Sequence, residues 1–151
     1  MKIRLLLIAF LLNVSGTVFS QKNSISVMGT TYPIMSSASI IYERSINISS
    51  NIDIIANVFI GNVRSHLLQF SHTGHELNGG IGGVGFSIIN QYRKSSKWEA
   101  GVKIFRLNSG AVERTFWPSA NLGLRWNVSN ILIRTGLETT AGLYLSIGYT
   151  F

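Results

Sequence analysis

The stretch Leu143-Tyr144-Leu145-Ser146-Ile147-Gly148-Tyr149-Thr150-Phe151 decides the fold. Its odd positions are Leu, Leu, Ile, Tyr and Phe, and three of the four even positions are small or polar. A period of two sends these two sets to opposite faces of an extended chain, so the segment reads as a strand with one apolar face. The preceding segment repeats the pattern. Ile131, Ile133, Thr135 and Leu137 share one side, and Leu132, Arg134, Gly136 and Glu138 share the other, whose charges mark it as polar.

Six more segments follow the same rule toward the N-terminus. Pro118, Ala120, Leu122, Leu124 and Trp126 alternate with Ser119, Asn121, Gly123 and Arg125, and Trp98, Ala100, Val102 and Ile104 alternate with Glu99, Gly101, Lys103 and Phe105. Gly82, Val84, Phe86 and Ile88 oppose Ile81, Gly83, Gly85 and Ser87, while Ile54, Ala56, Val58 and Ile60 oppose Asp53, Ile55, Asn57 and Phe59. Ala38, Ile40 and Tyr42 oppose Ser39, Ile41 and Glu43, and a weaker segment around Ile25 and Val27 completes eight.

Composition explains why alternation is the only outlet for so much apolar surface. Hydrophobic residues make up 46% of the 151 residues and charged ones 13%, about half the usual charged share, yet no long apolar run follows the N-terminus. Such a chain is too apolar to stay solvated as a disordered polymer. Nothing in the composition marks a boundary between two domains. There is no cysteine, which excludes a disulfide framework and a thiolate metal site.

The first twenty residues read as an address. Lys2 and Arg4 precede an apolar core from Leu5 to Leu12, and Val18-Phe19-Ser20 ends a polar region, as in a secretory signal peptide. The apolar core is too short to cross a hydrocarbon layer about 30 Å thick. The expected domains are therefore a cleaved leader at 1–20 and a barrel at 21–151. Removing Lys2 and Arg4 from the 13 basic residues leaves eleven against six acids, a mature charge of about +5. These bases are scattered along apolar segments rather than clustered, so a nucleic-acid partner is not expected.

Eight strands of roughly nine to eleven residues are the number and length of a small membrane barrel. The fold class expected is all-β: an eight-stranded antiparallel up-and-down transmembrane barrel. A water-soluble barrel of the lipocalin type also has eight alternating strands and a secretory origin. Face polarity separates the two. Here the polar face carries Glu43, Asp53, Glu99, Lys103, Arg125, Arg134 and Glu138, four acids and three bases that can neutralise one another inside a narrow lumen. The glycines of that face, Gly83, Gly85, Gly101 and Gly136, are expected to make room for the Lys and Arg stems. Arg44 and Arg106 fall on the apolar face, where their heads can snorkel to the interface, and Tyr42, Trp98, Trp126, Tyr149 and Phe151 suit an aromatic girdle.

The connections alternate as well. Asn47 to Asn51, Gln91 to Lys97 and Asn127 to Asn130 are short, as periplasmic turns are. Met28 to Ser37, Gly61 to Leu77 and Leu107 to Phe116 are longer, as extracellular loops are, and the last two are candidate contact surfaces for an extracellular partner. Thr139 to Gly142 belongs outside on this count and is short.

The ending Leu143, Leu145, Ile147, Tyr149 and Phe151 resembles the C-terminal signature of bacterial outer-membrane barrels, which implies that the barrel-assembly machinery reads it. More broadly, Asn23-Ser24-Ile25-Ser26-Val27, Tyr42-Glu43-Arg44 and the closing heptapeptide resemble a family of small outer-membrane β-barrel proteins of unassigned function, of the OmpA/OmpX type. The resemblance implies a Gram-negative outer-membrane location in contact with lipid and lipopolysaccharide. It brings no catalytic residues.

Other candidate sites are weaker. His66, His72 and His75 share one expected loop with Glu76, but their loose spacing on a loop fixes no coordination geometry, and no metal or cofactor is expected. His75-Glu76-Leu77-Asn78 resembles the His-x-Ser-Asn stretch of outer-membrane lipid A deacylases, with Leu77 where the nucleophilic serine belongs; the register from His72 puts Gly74 there. Neither supplies a hydroxyl for an acyl-enzyme, so no enzyme is expected. The leading expectation is a structural or surface-interaction barrel with a salt-bridged, closed lumen. A narrow porin-like channel and a lipid hydrolase are the alternatives.

Overall fold

The computed structural model describes residues 22–31, 35–65, 78–90, 96–109 and 116–151. They form eight antiparallel strands: β1 (Lys22–Thr31), β2 (Met35–Ser49), β3 (Ile52–Ser65), β4 (Asn78–Asn90), β5 (Lys97–Ser109), β6 (Phe116–Val128), β7 (Ile131–Glu138) and β8 (Gly142–Thr150). Each pairs with its neighbours in sequence, and β8 pairs with β1 to close the barrel. Closure leaves no unpaired strand edge, the condition for β-structure in hydrocarbon. It continues beyond the strand end, where Asn23 and Phe151 exchange backbone hydrogen bonds of 3.0 and 2.8 Å.

The register fixes the barrel's shape. A path along paired residues from Asn127 on β6 runs through Leu132, Gly148, Ser26, Ile41, Phe59, Gly83 and Phe105. It returns to β6 at Trp117, ten residues from its start. Such a stagger requires strands tilted by about 35–45° to the axis. Inward residues of neighbouring strands therefore climb relative to one another, and side chains far apart in register meet at one height.

Alternation places the side chains as the sequence predicts. Ile25, Val27, Ile40, Tyr42, Val58, Ile60, Val84, Phe86, Ile88, Trp98, Val102, Ile104, Leu122, Leu137 and Leu143 all face outward. This is a continuous apolar belt, far larger than the scattered apolar residues of a water-soluble surface. Its turn-side rim carries amphipathic tips: the Tyr42 hydroxyl donates to Asn23 Oδ1 at 3.0 Å, and Asn130 Nδ2 donates to the Tyr149 hydroxyl at 2.9 Å. Aromatic rings with a polar end suit a boundary between apolar and wet phases.

The start of β1, the end of β8 and the two-residue connections share one end of the barrel. There Ser50–Asn51 joins β2 to β3 and Ser129–Asn130 joins β6 to β7, with Ser129 at φ 56°, the positive φ that tight two-residue hairpins use. Three expectations are corrected, two at the opposite, loop end and one, at Lys97, on the turn side. Strand pairing continues into the expected loops, so that Gly61–Ser65, Leu107–Ser109 and Phe116 are strand and the connections shrink to 66–77 and 110–115. The expected loop from Met28 to Ser37 shrinks to 32–34, because Met28 to Thr31 pairs with Ser36 to Ser39. Lys97, expected in a turn, opens β5. The leader at 1–20, His66, His72, His75, Glu76 and Leu77 lie outside the described residues.

The short connection Thr139–Ala141 begins by continuing the pairing of β7 with β6. The Thr139 N–H donates to Ala120 O at 2.9 Å, the Ala120 N–H donates to Thr139 Oγ1 at 3.0 Å, and Ala141 is buried. Gly142, at φ 69°, supplies the left-handed residue that returns the chain to β8.

Of the inward glycines Gly83, Gly85, Gly101 and Gly136, one serves the role expected of them. A Cβ on Gly83 would fall 2.8 Å from Phe105 Cα, so this glycine lets the neighbouring strand approach, and one on Gly136 would fall 2.8 Å from Tyr144 Cε1, so that glycine makes room for the tyrosine ring. Gly101 faces Ser87 and Asn121, and only Gly85, 2.9 Å from Lys103 Cβ, lies against a cationic stem. Gly136→Ala also brings its methyl to 2.6 Å from Gly123 Cα, a backbone contact that cannot swing away. The expected cost is about 1–3 kcal/mol, read as a lower urea midpoint for the refolded barrel.

Candidate functional site

Lys22 stands at the turn-side mouth of the lumen, which holds all seven charged residues singled out from the sequence, plus Lys97: four acids and four bases in ion pairs. They do not form one network. The register sorts them into a central quartet and two flanking pairs.

The quartet is Glu43 from β2, Glu99 from β5, Arg125 from β6 and Arg134 from β7, with side chains 1–6% exposed. Arg125 reaches Glu43 Oε2 at 2.6 Å and Glu99 Oε2 at 3.3 Å. Arg134 donates from Nε to Glu99 Oε2 at 3.0 Å, and its two terminal nitrogens donate to Glu99 Oε1 and Glu43 Oε1. Ser24 Oγ adds a hydrogen bond of 3.1 Å to Glu43 Oε2. Each carboxylate thus takes hydrogen bonds from both guanidiniums, whose planar forks suit such bridging. The group is neutral overall. Burying four charges in a medium of low polarity is costly unless every one is paired in this way.

Apolar side chains pack around the quartet on both sides, which the sequence reading did not anticipate. On the turn side lie Leu132, two residues before Arg134, and Ile89, the cross-strand partner of Glu99; with Ile55 they are almost wholly buried. On the loop side Met28, Ile41, Phe59, Phe105 and Tyr144 form a cluster joined by Ile81. The Arg134 guanidinium lies 5.8 Å from the Tyr144 ring centroid, within cation–π range.

The flanking pairs stand at opposite ends. Toward the turns, Asp53 accepts from Asn47 Nδ2 at 2.9 Å and lies 4.0 Å from Lys97, beside a polar cavity of about 200 Å³ that Lys22 and Arg125 also line. Toward the loops, Lys103 Nζ donates to Glu138 Oε2 at 2.6 Å, and Glu138 Oε1 accepts from Ser119 at 3.2 Å and Thr140 at 3.0 Å. Lys103 Nζ also sits 4.9 Å from the centre of the Phe59 ring. This pair borders a second, mostly apolar cavity of about 310 Å³.

Leu143, Leu145, Ile147, Tyr149 and Phe151 do not enter the lumen. They line the outward face of β8, exposed beside Ile131 and Ile133 of β7 and Ile25 and Val27 of β1. Among the described residues no group of His, Cys, Asp and Glu is arranged to hold a metal ion.

By sequence, the chain matches no family model and no curated protein. Its fold has counterparts among solved structures. A designed transmembrane β-barrel shares 11% identity over 86% of this chain and 93% of its own, with a TM-score of 0.51. Ail, the attachment invasion locus protein of Yersinia pestis, solved in complex with the heparin analogue sucrose octasulfate, shares 12% identity over 87% of this chain and 97% of its own, with a TM-score of 0.49. At such identities the likeness is one of fold: this chain is an all-β, antiparallel closed barrel of eight strands that resembles transmembrane barrels.

Proposed function

We propose that the protein is a Gram-negative outer-membrane barrel whose lumen is closed to solutes and whose loop end, with the connections 66–77 and 110–115, offers contact surfaces outside the cell. The quartet carries this reading. Four strands contribute to it, its members bond across the barrel interior, and an eight-stranded lumen is about wide enough to be filled by side chains. The apolar belt supports immersion in lipid, with lipopolysaccharide against the loop-side rim. The exposed row from Leu143 to Phe151 supports reading by the assembly machinery, since it lies open along one face of β8. The hydrolase alternative depends on His72 to Leu77, outside the described residues, and gains nothing from the lumen.

Conductance separates a closed barrel from a channel. The refolded protein in planar bilayers is expected to give no steady current steps. Steady ohmic steps overturn the closed lumen, and their ion selectivity would then change on charge reversal at Arg134. A mobility shift on unheated gels, the usual mark of a folded membrane barrel, checks that the protein tested is folded.

A further inference from the structure

The cavity on the loop side of the quartet has the composition of a ligand site. Its volume of about 310 Å³ lies at the lower edge of small-molecule pockets and gives room for on the order of ten ligand heavy atoms. Met28, Phe59, Val63, Ile81, Leu107 and Trp117 wall it with apolar surface from five strands. Polar groups converge on the remaining wall: Ser39, Lys103, Glu138 and Thr140.

Hydrogen-bond satisfaction distinguishes these groups. Thr30 and Ser37, also in the lining, bond each other at 2.7 Å, and Glu138 is met by Lys103, Ser119 and Thr140. Ser39 Oγ is 4% exposed and has no hydrogen-bond partner among the described protein groups. A buried hydroxyl left unpaired costs free energy. Ser26 and Ser146 are also buried without partners, but neither lines this cavity. Lys103 has three N–H groups. One is taken by Glu138 and the Phe59 ring occupies a second direction, so a third donor remains.

We propose that this cavity binds a small uncharged amphiphile, its apolar body among Met28, Phe59, Ile81 and Leu107 and its single hydrogen-bonding head at Ser39 and Lys103. The head is uncharged because the Lys103–Glu138 pair is itself neutral. A carboxylate placed there meets the charge of Glu138, and an ammonium meets that of Lys103. The inference is independent of whether the barrel conducts, since the site lies on one side of the quartet.

Methyl-resolved NMR of the refolded protein in nanodiscs tests it, with decanamide as the probe. Partition into lipid moves the outward methyls of Ile60 and Ile104 in proportion to probe added. Binding is expected to move the inward methyls of Met28, Val63 and Ile81 along a saturable curve. Ser39→Ala, which keeps the volume and removes the hydroxyl, is expected to weaken the fitted Kd about five- to tenfold. Ser39→Leu, which fills the space, is expected to abolish saturation while the unheated gel shift persists. Decanoate and decylammonium are expected to bind at least tenfold more weakly than the amide. Inward methyls that follow the outward ones linearly, an unchanged Kd in Ser39→Ala, or tighter binding of either ion would each overturn the proposal.

Discussion

Arg134→Met is expected to destabilise the barrel by about 3–5 kcal/mol, while Glu99→Met/Arg134→Met recovers most of that loss. The single change removes the residue that bonds Glu99 through two nitrogens and Glu43 through a third. Two carboxylates then share Arg125 alone, and one buried negative charge is uncompensated. The double change also removes Glu99 and leaves Glu43 with Arg125 at 2.6 Å and Ser24 at 3.1 Å. That remnant is neutral and bonded, and two Met side chains approximate the volume removed. Urea titrations of protein refolded in vesicles, with the folded fraction read from unheated gel mobility, give both numbers. A double variant as unstable as the sum of its two single variants would mean that the quartet is not energetically coupled.

The effect is this large because of the order in which the interior is built. A lone ion pair in a water-filled lumen is screened and contributes little. Here Leu132, Ile89 and Ile55 lie on one side of the quartet and Met28, Ile41, Phe59, Phe105 and Tyr144 on the other. Water has little access, so each charge depends on its partners. The same packing fills the lumen with apolar side chains as well as ion pairs. Removing the charges alone would still leave the aromatic layer in place.

Parity was the legible part of the sequence. Glu43, Glu99, Arg125 and Arg134 fall on one face because each stands one step out of phase with the apolar row of its strand, and a period of two leaves a side chain only two directions. Height and partner were not legible. Ile41, Phe59 and Phe105 share that parity with the charges, and nothing local says that they stack into an apolar layer; only the stagger of the closed barrel brings them together. The same stagger pairs Lys103 with Glu138 rather than with Glu99 on its own strand. Lys97 was missed although it stands two residues before Glu99, because Lys in a polar run reads as a turn. The strand ends were missed for a related reason. Asn62 and Arg64 face outward without apolar side chains, so alternation fades there while backbone pairing continues.

Val84→Arg is expected to cost about 2–4 kcal/mol in lipid vesicles, whereas Asn62→Arg is expected to cost about 0–1 kcal/mol. Val84 is the middle residue of β4, 53% exposed, with Val58 and Ile104 as its outward cross-strand partners. An arginine there has no rim within reach and must be desolvated or thin the bilayer around it. Asn62 lies on the same outward face near the loop end, paired with Ala38 and Gly80, where a long side chain can reach the polar interface. Both sites are outward and neither touches the quartet, so the difference between them reports only depth in the surrounding solvent. On a water-exposed surface both changes fall within about 0.5 kcal/mol of zero. Equal midpoints for the two variants would therefore remove lipid from the belt and return the chain to the soluble-barrel alternative, with its outward apolar residues left to be covered by something other than a membrane.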